Sequence, residues 1–85
     1  MLICFTDHGW DDYQYWISHD KKIVKRINML IKDAKRTPSE GIGKPERLKE
    51  NLSGYWSRRI TSEHRVGYTF SNDTLTIVAL RYHYT

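Results

Sequence analysis

Downstream of Pro45 the sequence is cut by three turn signals, Ser53-Gly54, Thr61-Ser62-Glu63 and Ser71-Asn72-Asp73. A parallel crossover takes a dozen or more residues, so segments joined by turns this short must pair as antiparallel neighbours. The segments are Arg47 to Lys49, Tyr55 to Ile60, His64 to Phe70 and Thr74 to Tyr82, and their period is two. In His64 to Phe70, Val66, Tyr68 and Phe70 alternate with Arg65, Gly67 and Thr69. Turning the apolar set inward leaves Arg65 on the open face of the sheet. Tyr55, Ser57 and Arg59 share one face of their strand in the same way. The last strand is apolar on both faces, with Leu75, Ile77 and Ala79 against Val78 and Leu80, so its period gives His83 no orientation.

Upstream, helical spacing takes over. Leu2 to Phe5 reads as a short buried strand, and Asp7 as the N-cap of a first helix whose apolar stripe is Trp10, Tyr13 and Ile17. Asp20 suits the N-cap of a second helix, in which Ile23, Ile27, Leu30, Ile31 and Ala34 form one apolar face. Thr37-Pro38 ends that helix, because proline disfavours helical geometry in the residue before it. The stretch from Ser39 to Pro45, with Gly41 and Gly43, is a loop. The expected architecture is α+β, a single domain over residues 1–85 with two N-terminal helices packed on an antiparallel sheet.

A chain of 85 residues buries only about 60–65% of its unfolded surface, so three Trp, six Tyr and two Phe supply needed bulk. Charge is unevenly distributed. The first twenty residues hold Asp7, Asp11, Asp12 and Asp20 with no Lys or Arg, while residues 21–85 carry all fourteen Lys and Arg against six acids. A basic face for a polyanion or an acidic peptide follows, against the alternative of a merely solvated lysine-rich helix. No apolar run approaches the roughly 20 residues of a membrane span, and Met1 to Phe5 lacks the basic flank of a signal peptide. One cysteine excludes an internal disulfide and a multi-cysteine zinc site. These features lead to the expectation of a cytoplasmic protein. The four histidines have no metal-ligand spacing, so no metal or cofactor is expected. Cys4 is expected to be a buried structural residue, Trp56 a core residue, and Arg58 and Arg59 a charged pair that blunts sheet association.

General acid–base chemistry on a polyanion remains. Cleaving RNA without a metal needs a base for the 2′-OH, a cation for the phosphorane and an acid for the departing 5′-oxygen. Glu46 among Lys44, Arg47 and Lys49, Arg65 on the open face, and His83 near the end are residues of the right types, and Tyr84 suits base stacking. Taken singly, each has an ordinary alternative as a solvated carboxylate, a paired arginine or an incidental terminal histidine.

The pattern of spaced residues is more specific than composition. Trp10-Asp11-Asp12-Tyr13, Arg36-Thr37-Pro38, Gly43-Lys44-Pro45-Glu46, Leu48-Lys49, Asn51-Leu52-Ser53-Gly54, Trp56-Ser57-Arg58-Arg59-Ile60, Glu63-His64-Arg65 and Arg81-Tyr82-His83-Tyr84 together resemble the YoeB branch of the RelE superfamily of bacterial toxin–antitoxin ribonucleases. The resemblance runs from Leu2 to Tyr84 and implies a microbial-RNase-like, RelE-like fold. It implies ribosome-dependent, metal-independent cleavage of mRNA in the A site, with Glu46 as general base, Arg65 as transition-state stabiliser and His83 as general acid. Tyr84 would stack on a base, and Lys49 and Arg59 would contact phosphate. Implied partners are a YefM-type antitoxin, the translating ribosome, and operator DNA only through the toxin–antitoxin complex; a homodimer stays open. Arg47, Gly67 and Thr85 depart from the family's usual residues. The rival functions are a ParE-like gyrase-inhibiting toxin, against which Glu46, Arg65 and His83 together argue, and a noncatalytic nucleic-acid-binding module.

Overall fold

Helix packing begins from two caps. The computed structural model describes residues 1–82. Strand β1 (Leu2–Phe5) leads into helix α1 (Asp7–His19), and Thr6 caps that helix by accepting from the Gly9 N–H through its hydroxyl. Asp7 is therefore the first-turn acid rather than the expected N-cap. Asp20 ends α1 and caps α2 (Lys21–Arg36), its carboxylate accepting from Lys22 and Ile23 N–H. Ile27, Leu30, Ile31 and Ala34 of α2 are buried, as their spacing predicts, and α2 stops before Thr37-Pro38.

Helix α1 corrects its predicted stripe. Gly9, Asp12 and Trp16 face inward, whereas Trp10 and Ile17 are exposed and Tyr13 is half-buried. The reason is a close approach. A Cβ at Gly9 would collide with the carbonyl of Ile77, so glycine sets which face of α1 meets the sheet.

Strands β2 (Glu46–Arg47), β3 (Trp56–Arg59), β4 (Arg65–Ser71) and β5 (Thr74–Ala79) pair antiparallel, and a 3-10 turn at Glu50–Leu52 joins β2 to β3. The predicted strand Leu2 to Phe5 matches β1 in its bounds, the four later ones are slightly displaced or overlong, and the Arg47–Lys49 segment is mostly this connection. The sheet order is β1-β5-β4-β3-β2. Strand β1 is parallel to β5, which corrects the expectation of a wholly antiparallel sheet to a mixed one. The chain between the two parallel partners, both helices and strands β2 to β4, far exceeds the crossover length that parallel pairing requires. As an edge strand β1 is also largely exposed, with Leu2 72% and Ile3 42% accessible and Cys4 exposed, so neither the strand nor its thiol is buried as expected.

Beneath the helices, Val66 and Tyr68 of β4 meet Leu75 and Ile77 of β5, all fully or nearly fully buried, with Phe70 half-buried. The register of β4 with β5 slips between Gly67 and Tyr68, where Val78 is the extra residue. That bulge explains why the period of β5 is unreadable. Ile77 pairs with Tyr68 on the helix side, yet Ala79 pairs with Gly67 on the open side.

Arg58 gives the largest correction. Its side chain is completely buried on the helix side of β3, not at a protective edge. Nη1 bonds Asp33 Oδ2 at 2.7 Å and the Ile42 carbonyl at 3.1 Å; Nη2 bonds the Thr37 and Glu40 carbonyls at 2.7 and 2.9 Å; Nε bonds the Tyr68 hydroxyl at 3.0 Å. Tyr68 in turn donates to the Pro38 carbonyl at 2.6 Å. Every guanidinium nitrogen is satisfied, which is the condition for tolerating a buried charge. The Ile42 N–H, then Arg58 and Arg36, hold the Asp33 carboxyl down from 3.8 to about 2, and burial pushes the Tyr68 phenol up. Gly43 closes the loop against this cluster with φ of 80°, and a Cβ there would lie 2.6 Å from Leu30 Cδ2.

Two outcomes follow. Arg58→Ala removes the buried partner of Asp33, which keeps only Arg36 and the Ile42 N–H, and takes a bond from each of three carbonyls, so unfolding in urea should show a loss of about 3–5 kcal/mol. Because folding depresses the Asp33 pKa, the stability it contributes is complete above the pH at which the unfolded carboxyl ionises. It is lost as pH falls from about 4 towards about 2. The gap in urea midpoint between wild type and Asp33→Asn should therefore be full at pH 5 and mostly closed at pH 2; a gap constant with pH would show that Asp33 does not titrate in this way.

Candidate active site on the open sheet face

The strand register assembles the site. Glu46 pairs with Ser57, Ser57 with Gly67 and Gly67 with Ala79, so one row crosses four strands on the face away from the helices. Two residues along β3 lies Arg59, paired directly with Arg65 of β4. Directly paired residues share a face, and so do residues two apart on one strand. Glu46, Arg59 and Arg65 therefore project from the same open surface. At about 3.3 Å per residue and about 4.8 Å between strands, the Glu46 and Arg65 Cα atoms stand on the order of 12 Å apart.

Electrostatically this surface is unbalanced. Like charges directly opposite in a sheet destabilise it, yet Arg59 and Arg65 sit opposite with no acid paired to either among the described residues. Arg65 Nη1 is held by carbonyls instead, at 2.8 Å from Thr61, 3.1 Å from His64 and 3.3 Å from Ser62. Those bonds fix the cation to the β3–β4 turn and leave its charge uncancelled. Arg59 is exposed, and its N–H donates to the Gly43 carbonyl at 2.7 Å, which ties β3 to the loop that enters β2. Glu46 is exposed and forms no ion pair among the described residues.

Lys49 is exposed just before the 3-10 turn, on the connection beside Glu46. A hollow of about 480 Å³ lies along this region, with Leu48, Leu52, Tyr55, Gly67, Ala79 and Arg81 among its lining residues. Trp56 is on the opposite side, half-buried against the core and covered by the Arg47 guanidinium at 5.5 Å, so it is not a stacking platform on the open face. His83 and Tyr84 lie outside the described residues.

The chain leading to them is tied at several points. Leu80 N–H donates to the buried Asp12 carboxylate at 2.9 Å, and Trp16 Nε1 donates to the Leu80 carbonyl at 2.9 Å. Arg81 lies over the Tyr15 ring at 3.7 Å. The Tyr82 carbonyl accepts from Arg65 N–H at 3.1 Å, and Tyr82 N–H donates to His64 Nδ1 at 2.8 Å. Sequence reasoning missed Asp12, Trp16 and His64. An aspartate and a tryptophan four residues apart on a helix give the only hint of a shared face.

Fold and face define a small α+β protein with two helices behind a mixed sheet and, in front, cations that no acid among the described residues cancels. The family model for YoeB-like toxins of bacterial type II toxin–antitoxin systems matches residues 5–84, and the chain belongs to that family. It is 61% identical to the Escherichia coli toxin YoeB over 84 residues, 99% of this chain and 100% of the relative. A solved YoeB/ParE toxin from Agrobacterium tumefaciens superposes with a TM-score of 0.94 at 49% identity, covering 99% of this chain and 100% of that one. A YoeB–YefM complex from Staphylococcus aureus gives 0.90 at 48% identity, covering 99% of each.

Asp12 carries a prediction of its own. Asp12→Ala leaves the buried Leu80 N–H without an acceptor, and urea denaturation should record a loss of about 1–3 kcal/mol. Exchange of the Leu80 amide should rise in parallel. An unchanged exchange rate would show that Asp12 does not hold the end of β5.

Proposed function

We propose that this toxin is a ribosome-dependent, metal-independent endoribonuclease that cleaves mRNA in the A site. The observation that carries the reading is the unneutralised Arg59–Arg65 pair on the same sheet face as Glu46. In this reading Glu46 removes the proton of a 2′-OH, and the freed oxygen attacks the adjacent phosphorus. Arg65 stabilises the charge that peaks on the phosphorane oxygens, the kind of preorganised contact that is worth most in the transition state. The bond to the 5′-oxygen then breaks, leaving a 2′,3′-cyclic phosphate, and His83 gives the departing oxygen its proton. Arg59 and Lys49 hold flanking phosphates, and Tyr84 stacks on a base and keeps the acid in place.

The cognate partner is proposed to be a YefM-type antitoxin, as in the complex of the Staphylococcus aureus relative. An acidic, initially disordered segment that folds on binding would mask Arg65 and displace the tail that carries His83. Operator DNA would be met only through that complex.

Single-turnover cleavage of mRNA on purified translating ribosomes tests the assignment. Glu46→Gln and Arg65→Ala should each slow cleavage by roughly 100-fold or more with little change in ribosome affinity. His83→Gln should lose roughly 100- to 10,000-fold. Only the histidine variant should recover on a substrate with a 5′-bridging sulfur, whose leaving group needs no proton. Near-wild-type rates for either of the first two variants remove that residue from the mechanism, and absence of rescue removes His83 as the acid.

A further inference from the structure

We propose that His64 is the positioning residue of the C-terminal tail, holding the Tyr82 amide with its Nδ1 lone pair and thereby setting the range open to His83. The proposal deepens the ribonuclease reading and rests on it for the role of His83.

His64 begins the β4 side of the hairpin and alternates with Arg65, so its ring lies on the opposite side of the sheet from the candidate site. The edge-on Trp16 ring at 4.9 Å confirms that placement, and the His64 side chain is only 13% exposed. It therefore has no direct route to substrate on the open face. Its two nitrogens meet different neighbours. Nδ1 lies 2.8 Å from the Tyr82 nitrogen, which is a donor, so Nδ1 must be the unprotonated nitrogen. The ring proton then belongs on Nε2, which has the exposed Glu63 carboxylate 3.3 Å away. The Tyr82 N–H thus sets the tautomer, and the nearby Glu63 carboxylate favours the same one.

Tyr82 needs such a hold. Its φ of 63° is left-handed, a conformation that costs energy for a residue with a Cβ and persists only where its surroundings impose it. The imposing bonds are on both sides of the residue: Tyr82 N–H to His64 and the Tyr82 carbonyl from Arg65 N–H. The Tyr82 ring completes the contact, 5.4 Å from the His64 ring. His83 is the next residue, and consecutive Cα atoms are about 3.8 Å apart. A bond from the Arg65 amide and one from the neighbouring His64 thus tie the acid-bearing segment to the strand that carries the transition-state cation.

The test compares two variants of the full chain labelled with nitrogen-15. In His64→Asn the amide oxygen takes the place of Nδ1, whereas in His64→Gln the amide falls nearer the place of Nε2. Long-range nitrogen–proton spectra of the wild type should show the Nε2–H tautomer at His64. The Tyr82 amide should exchange about tenfold faster in His64→Gln and stay near wild type in His64→Asn, the scale of one neutral hydrogen bond. On ribosomes, His64→Gln should lower the single-turnover rate by about the same factor, leave affinity unchanged, and show no deficit on the 5′-bridging sulfur substrate. An Nδ1–H tautomer, or equal Tyr82 exchange in the two variants, overturns the proposal, and the tautomer spectrum decides it even if His64→Gln fails to fold. Should the wild type cleave nothing, the ribonuclease reading falls while the tautomer and exchange results still judge the hold on the tail.

Discussion

The buried Arg58 guanidinium is the interaction on which the remaining geometry depends. It joins α2 through Asp33, the loop after α2 through three carbonyls, and β4 through Tyr68. That loop is the only covalent route from the helices to β2, and β2 carries Glu46. Gly43 at its end accepts from Arg59 N–H, the residue next to Arg58. One side chain therefore fixes where the loop leaves the helix layer, and the adjacent backbone fixes where it joins the sheet. A hydrophobic residue at position 58 would fill the space but would leave the Ile42 carbonyl without its donor and take the shorter bond from each of the Thr37 and Glu40 carbonyls, which would keep only their bonds to each other's residue. The charge is retained for what it organises rather than for a large net stabilisation.

Adjacent arginines show how the sheet divides its labour. Arg58 faces the helices and is balanced by Asp33, whereas Arg59 faces outward opposite Arg65 and is balanced by nothing among the described residues. Strand alternation alone produces this difference, since neighbouring positions must point to opposite sides. The inner charge is locked by hydrogen bonds and holds the fold together. The outer charges oppose it slightly, as like charges in direct cross-strand register do. Local conflict of this kind is expected where a surface is kept for a ligand of opposite sign.

Elements with a single strong period were legible in the sequence. Helix α2, its Asp20 cap and its stop at Thr37-Pro38 all follow from spacing and local chemistry, as does the inward set of β4. Failures have specific causes. In α1 the aromatic residues drew the stripe to Trp10 and Ile17, but the close crossing at Gly9 turned the helix so that a small residue and an acid face the sheet. In β5 a bulge at Val78 broke the period, and in β1 a parallel edge pairing exposed residues whose composition suggested burial. Arg58 was misplaced because a fully hydrogen-bonded buried arginine has no signature in one dimension. Its partners are backbone carbonyls and residues 10 and 25 positions away. For the candidate site, the shared face of Arg59 and Arg65 could be anticipated from alternation, while the position of Glu46 required the register of β2.

The same register separates what the core must do from what the site must do. Every side chain proposed to meet RNA from the sheet lies on β2, the connection after it, or the β3–β4 pair, whereas the helices supply the hydrophobic mass behind. The last described residues bridge these two tasks. Leu80 is bonded to Asp12 and Trp16 of α1, and two residues later Tyr82 is bonded to His64 and Arg65. Between these points the chain passes from the helix layer to the β3–β4 hairpin. Placement of the terminal segment is thus coupled at one end to core packing and at the other to the strand bearing Arg65. A change in α1 that loosens Leu80 acts on the candidate site through this path without touching the open face.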